Sequence, residues 1–146
     1  MHEQNVVHAD VKPSNVLLSA DRKAVKLCDF GLSRVKTTVG QTSTQGQRQG
    51  TPLFMAPEIV LKNNRPSYKS DIWSMGGTIA ELYTGVDFWD LSKAEDLYKF
   101  LEAKMKKKTQ PDGARALAAL HMNMDDVFSY RFGSRPSAKD LHKKFK

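Results

Sequence analysis

A polar turn, Ser19-Ala20-Asp21-Arg22-Lys23, separates the apolar run Val16-Leu17-Leu18 from a second run, Ala24-Val25-Lys26-Leu27-Cys28, in which Val25 and Leu27 alternate with Lys26. Short strand-forming runs around such a turn pair antiparallel, and pairing brings their outer ends together. Asn15 and Asp29 therefore become neighbours. An amide oxygen and a carboxylate at one mouth are hard ligands of the kind Mg²⁺ takes, a few protein oxygens completed by phosphate. Just upstream, the stretch His8-Ala9-Asp10-Val11-Lys12-Pro13-Ser14-Asn15 adds a carboxylate able to take a proton, Asp10, and an ammonium able to touch a phosphate, Lys12.

That stretch, then Asp29-Phe30-Gly31, then Gly50-Thr51-Pro52-Leu53-Phe54-Met55-Ala56-Pro57-Glu58, resembles the protein kinase family, whose catalytic loop, metal-binding turn and activation-segment end follow one another in this order. From the catalytic loop onward the resemblance covers essentially the whole chain. It implies that Asp10 accepts or orients the proton of a substrate hydroxyl, that Lys12 steadies the transferring phosphate of ATP, and that Asn15 and Asp29 hold Mg²⁺. It makes His8 structural, packed near Phe30 and bonding backbone, with Gly31 closing the metal-binding turn. Thr51 is implied to hydrogen-bond toward Asp10 and Lys12, tying the platform for a protein substrate to the base.

Lys12-Pro13 together with Gly50-Thr51-Pro52 is similar to the serine/threonine branch, so serine and threonine hydroxyls are the expected acceptors. Ser14 stands where many basic-directed kinases carry Glu, which removes one support for upstream arginine. Leu32 leans to serine over threonine. Ala9 stands where most kinases carry Arg. In the family that Arg pairs with a phosphate on the activation loop, so its loss argues against activation by phosphorylation while the catalytic groups remain.

The 146 residues suffice for one domain whose core buries roughly two thirds of the unfolded surface. A complete domain of the resembled family is longer, and no Gly-x-Gly-x-x-Gly occurs: Gly46 with Gly50 and Gly76 with Gly77 are wrongly spaced. Lys23-Ala24-Val25-Lys26 lies on the wrong strand to supply the family's nucleotide-side lysine. The expectation over residues 1–146 is a mainly α (α+β) fold: the helical carboxyl-terminal lobe of a protein kinase, with a small β-hairpin at the catalytic cleft and without the amino-terminal β lobe. Its parts are the catalytic loop 8–15, the metal-binding turn 29–31, the activation segment 29–58 and the helical lobe 70–146. Two alternatives stay open. One is an inactive fragment or pseudokinase acting as a protein-interaction module. The other is a small-molecule phosphotransferase, against which Met55-Ala56-Pro57-Glu58 and Arg135 argue.

The formal net charge of +7 raises nucleic-acid binding, but the lysines concentrate at Lys104, Lys106, Lys107 and Lys108 and at Lys139, Lys143, Lys144 and Lys146. Lysines near helix C-termini suit the macrodipole and form a solvated face, and no nucleic-acid motif accompanies them. Residues 1–7 hold no apolar run long enough for a signal peptide, and no window nears the ~18 apolar residues of a membrane span, so neither is expected. The single cysteine, Cys28, cannot make an internal disulfide; a buried structural thiol in a cytoplasmic or nuclear setting is expected.

Residues 32–50 are rich in Thr, Ser, Gln and Gly and read as a loop. Thr37, Thr38, Thr42, Ser43 and Thr44 are its candidate phosphoacceptors, with Arg34, Lys36 or Arg48 to meet a phosphate. Residues 71–84, opened by Ser70 and stopped by Gly85, are apolar on nearly every side, which predicts a fully buried helix. The resemblance makes it the central helix of the lobe, with Asp71 capping backbone N–H groups of the catalytic loop. Ser92-Lys93-Ala94-Glu95 has the form of a capping box ahead of a helix striped by Ala94, Leu97, Tyr98, Leu101 and Met105. Residues 112–120 read as an alanine- and leucine-rich helix, and Ser137 with Asp140 starts a last one. The resemblance also implies that Arg135 pairs with Glu58 and clamps the activation segment to the lobe.

Overall fold

A computed structural model of the chain describes residues 1–35 and 50–144. They form, in order, β1 (Val6–Val7), β2 (Val16–Leu18), β3 (Val25–Leu27), β4 (Arg34–Val35), α1 (Pro57–Lys62), α2 (Tyr68–Thr84), α3 (Leu97–Lys106), α4 (Asp112–Ala119) and α5 (Ala138–Lys144), with short 3₁₀ turns between them. The chain is mostly helical with small antiparallel ribbons, the architecture expected of a helical kinase lobe.

β2 and β3 pair in the register Val16↔Leu27, Leu17↔Lys26 and Leu18↔Val25. The Cys28 N–H donates to Asn15 O at 2.9 Å, which continues the ladder to the mouth of the hairpin. A second ribbon joins β1 to β4 through Val6↔Val35 and Val7↔Arg34. Contrary to expectation, the hairpin is not buried: Leu17, Leu18 and Val25 are exposed, and Cys28 is only half-buried. A two-stranded ribbon covers neither of its own faces, and here the helices pack chiefly on one another.

The long helix α2 is the axis of that packing. Ser67 and Ser70 exchange bonds between side chain and backbone, Ser70 N to Ser67 Oγ at 3.3 Å and Ser67 N to Ser70 Oγ at 2.8 Å, so the helix starts at Tyr68, a turn before the expected start. Ser70 is the inner partner of the capping box and not the cap. Ile72, Trp73, Gly76, Gly77 and Ala80 are buried, whereas Leu82 and Tyr83 in the last turn are exposed, so the helix is enclosed over its first part and not throughout.

Trp73 sits at the centre of the core. The rings of Phe128, Tyr130 and Phe88 meet it edge-on, with centroids at 5.7, 5.5 and 6.1 Å. A Cβ on Gly77 would stand 2.8 Å from the Phe88 ring, so only glycine admits that approach. Leu101 and Met105 of α3 and Leu117 of α4 complete the cluster. Helix α3 is capped by Asp96, whose carboxylate accepts from Lys99 N at 3.0 Å; the expected box at Ser92 is not used, because the Ser92 N–H closes a local turn on Asp90 at 2.9 Å. Ser137 and Asp140 do start α5, with Asp140 N to Ser137 Oγ and Ser137 N to Asp140 Oδ2 both at 3.1 Å. Among the described residues no helix is long and apolar enough to cross a membrane.

Candidate functional site

Beyond the ladder bond at Cys28 the chain turns sharply, with Asp29 at φ 60. The Gly31 N–H donates to Asp29 Oδ1 at 3.3 Å, and Asp29 stays exposed. Phe30 shows about half its surface to solvent and lays its ring 4.9 Å from the His8 imidazole. His8 is fully buried. Its Nδ1 accepts the Asp10 N–H at 3.3 Å, so the ring proton sits on Nε2, which donates to Cys28 O at 3.0 Å. Both ring nitrogens are committed to backbone, and the imidazole braces the loop against the end of β3.

Asp71, in the first turn of α2, reaches across to the same loop. Its Oδ2 accepts the His8 N–H at 2.8 Å and its Oδ1 the Ala9 N–H at 2.9 Å. His2 Nε2 brings a third donor to Oδ2 at 2.9 Å. Between these anchors Ala9 holds φ 68, a left-handed conformation that costs a residue with a Cβ about 1 kcal/mol. That reversal separates the buried His8 from Asp10, which faces Lys12, Asn15 and Thr51.

Asp10 takes four donors. Oδ1 accepts from Thr51 N and Thr51 Oγ1, both at 2.8 Å. Oδ2 meets Lys12 Nζ at 2.9 Å and Asn15 Nδ2 at 3.3 Å. Lys12 Nζ also donates to Thr51 Oγ1 at 2.8 Å, which closes a triangle of the three side chains. Burial pushes the Asp10 carboxyl up, but the Lys12 ammonium and the two Thr51 donors more than offset it and hold it below its ordinary value. Gly50 permits this closeness: it sits at φ 110, and a Cβ there would stand 2.7 Å from Ala9 O.

Asn15 gives its amide N–H to Asp10 O at 2.8 Å, which leaves the amide oxygen as the atom able to face a cation. One amide oxygen and one exposed carboxylate at the hairpin mouth fit Mg²⁺, which takes few protein oxygens and completes its octahedron with phosphate and water. They are not an all-protein cage. Among the described residues no group of three or more His, Cys, Asp or Glu is placed to hold a metal.

The segment carrying Thr51 is fixed from its other end. After the 3₁₀ turn Pro52–Phe54, Glu58 lies in the first turn of α1. Arg135 donates Nη1 to Glu58 Oε1 and Nη2 to Oε2, both at 2.8 Å. The same guanidinium gives Nη1 to Lys69 O and Nε to Ser129 O, each at 2.9 Å, and lies 5.1 Å from the Trp73 ring centroid. It is buried with four of its five N–H donors bonded and every nitrogen engaged, so little of its charge is left uncompensated.

The structure thus brings Asp10, Lys12, Asn15 and Thr51 into one hydrogen-bonded group, sets Asp29 beside them through the hairpin, and places Glu58 and Arg135 behind the Thr51 segment. Ala9 lines a small cavity with Thr51, Met55, Ile59, Ser70 and Ser74, and among the described residues no basic side chain lines it. Thr37, Thr38, Thr42, Ser43, Thr44, Lys36 and Arg48 lie outside the described residues. His2 was not singled out in the sequence, where nothing distinguishes a histidine in the short polar lead from a surface residue.

Comparison with known proteins identifies the family. The family model of the protein kinase domain matches residues 1–145. The serine/threonine-protein kinase nekl-2 of Caenorhabditis elegans is 32% identical over 142 residues, covering 97% of this chain and 38% of that protein. The serine/threonine-protein kinase pakF of Dictyostelium discoideum is 48% identical over 86 residues, covering 59% of the chain and 7% of that protein. The tyrosine-protein kinase sid-3 of Caenorhabditis elegans is 36% identical over 104 residues, covering 70% of the chain and 8% of that protein. The chain spans well under half the length of these relatives.

Proposed function

The chain belongs to the protein kinase domain family, and on that premise we propose that it is the catalytic lobe of a serine/threonine protein kinase, with ATP as donor and a protein hydroxyl as acceptor. One observation carries the proposal: Thr51, in the segment where a substrate polypeptide would lie, is bonded to both Asp10 and Lys12. A hydroxyl delivered along that segment meets the carboxylate in a set register, and positioning supplies most of the catalysis in phosphoryl transfer.

Held below its ordinary value, the Asp10 carboxyl is ionised through the neutral range. It orients the hydroxyl as an acceptor and takes the proton late, when bonding to phosphorus has made that hydroxyl acidic. All four acceptor positions of Asp10 are filled, so the incoming hydroxyl displaces one of the four donors. The Asn15 contact at 3.3 Å is the longest, and Lys12 is the flexible, partly exposed cation. Lys12 leaves Oδ2 for the phosphoryl oxygens, where its charge is needed, and in doing so frees Oδ2 for the substrate. Asn15 and Asp29 would hold Mg²⁺ on the phosphates of ATP, where its charge would offset phosphate repulsion.

Lys12-Pro13 and Gly50-Thr51-Pro52 support serine and threonine as acceptors, as do the names of two of the three relatives. The test offers serine, threonine and tyrosine peptide libraries with Mg·ATP to the full-length protein and locates the phosphate. Incorporation on serine and threonine is expected. Tyrosine alone would overturn the acceptor class, and no incorporation would favour the second reading, an interaction module. That reading rests on the exposed Leu17, Leu18, Val25 and Phe30 around the hairpin, an apolar surface open to a partner.

A further inference from the structure

We infer that Ser33 is a positioning residue for Asp29: its hydroxyl, bonded to the His8 carbonyl, closes the exit of the turn 29–31 and keeps the Asp29 carboxylate at the hairpin mouth beside Asn15. The inference rests on the proposed role of Asp29 in holding Mg²⁺.

Asp29 sits at φ 60, a conformation that a residue with a Cβ keeps only when the chain is held on both sides of it. On the entry side the Cys28 N–H donates to Asn15 O at 2.9 Å, and Cys28 O accepts from His8 Nε2 at 3.0 Å. On the exit side the Ser33 N–H donates to Phe30 O at 3.0 Å, and the Ser33 hydroxyl donates to His8 O at 3.2 Å. Entry and exit thus close on one residue, the first on its ring and the second on its carbonyl. His8 is a fixed point, fully buried with its N–H on Asp71. The turn itself is weakly secured. Asp29, Phe30 and Gly31 are all exposed, and the Gly31 N–H reaches Asp29 Oδ1 only at 3.3 Å. The ribbon that follows pairs two residues of each strand, Val6↔Val35 and Val7↔Arg34, too few to hold the segment alone. When the Ser33 hydroxyl is lost, the turn opens more often and Asp29 leaves Asn15. Apparent Mg²⁺ affinity then falls with the fraction of molecules in which the two oxygens stand together, whereas saturating metal selects the closed turn and the full rate.

The test compares Ser33→Ala, Ser33→Thr and Ser33→Val in the full-length protein. It measures amide hydrogen exchange without metal or nucleotide, and phosphoryl transfer over a range of Mg²⁺ concentrations at saturating ATP. Ser33→Thr keeps the hydroxyl, and Ser33→Val adds the same bulk without it. Ser33→Ala is expected to speed exchange in a peptide covering residues 28–34 about fivefold, the loss of one neutral hydrogen bond, while peptides from α4 and α5 keep their rates. The Mg²⁺ concentration at half-maximal rate rises by up to the same factor, with kcat at saturating Mg²⁺ unchanged. Ser33→Thr restores both readouts and Ser33→Val neither. Unchanged exchange at 28–34 would mean that the ribbon holds the turn, and faster exchange throughout the lobe that the hydroxyl serves the whole fold; either overturns the inference. An unchanged Mg²⁺ midpoint beside faster exchange at 28–34, or recovery by Ser33→Val as full as by Ser33→Thr, overturns it too. Absence of phosphoryl transfer by the unaltered protein would instead defeat the kinase reading, and the exchange rates would still decide whether Ser33 holds the turn.

Discussion

Glu58 and Arg135 meet in parallel, two N–H groups on two oxygens at 2.8 Å, in a place solvent scarcely reaches. Asp10 and Lys12 meet through a single 2.9 Å contact, and each also bonds Thr51. Both pairs join a carboxylate to a cation, and both touch the same stretch between Gly50 and Glu58. The difference lies in the cation. A guanidinium is a planar fork that fits one carboxylate in one way and here gives two further donors to Lys69 O and Ser129 O, which fixes the pair in one geometry. An ammonium on a four-carbon stem pivots between acceptors at little cost. One pair is built to stay; in the proposed mechanism the other exchanges partners when a phosphate arrives.

Arg135→Ala breaks the comparison most severely. It leaves Glu58 buried without its partner, and the loss of one member of such a pair costs ~3–5 kcal/mol; denaturant unfolding should show this, and a change under about 1 kcal/mol would mean that the pair behaves as an exposed one. Asp10→Ala should act on the other axis, lowering kcat by at least ~10²-fold in the full-length kinase while Tm falls far less than for Arg135→Ala. Phosphate incorporation at an unchanged rate would remove Asp10 from the reaction.

Acid sharpens the contrast. Because the folded-state pKa of Asp10 lies below its unfolded value, its ion pair and hydrogen bonds stabilise the fold fully above the ordinary carboxylate value of about 3.9, and that contribution disappears as pH falls through the lower folded value. Melts of the parent and of Asp10→Asn should differ at pH 6 and converge toward pH 2. A gap that is constant with pH would contradict the assignment of the depressed pKa to these contacts. The smallest effect is shared by both pairs. Ser67→Ala removes half of the capping box at the start of α2, the helix that carries Asp71 and Trp73, and should cost ~1 kcal/mol without separating stability from activity.

Much of the site was legible in the residues themselves. The apolar run, turn and alternating run between Asn15 and Asp29 led to the observed antiparallel hairpin, since pairing over so short a loop depends on neighbours in the chain. The Ser137 cap of α5 was legible for the same reason. At α2 the sequence pointed to Ser70, and the backbone opens the helix at Ser67 instead, the residue that stays extended, at φ −141, ahead of the first turn. At α3 the box at Ser92 matched the pattern, yet Asp96 caps the helix and the Ser92 N–H serves a turn.

What the sequence determined unaided is therefore local: the hairpin, most helix extents and the identity of the charged groups delivered to the loop. Tertiary structure decided which of those groups meet. Asp71 caps a loop 63 residues away, and Arg135 finds Glu58 at a separation of 77. No periodicity encodes contacts that long. They arise because the start of α2 meets the loop at His8 and Ala9 through Asp71 and meets Arg135 through Lys69 O, and because a buried carboxylate or guanidinium is stable only where its charge finds hydrogen-bond partners. Packing also left the hairpin bare and set His2 on Asp71, since burial is a property of the neighbours and not of the strand or the side chain itself.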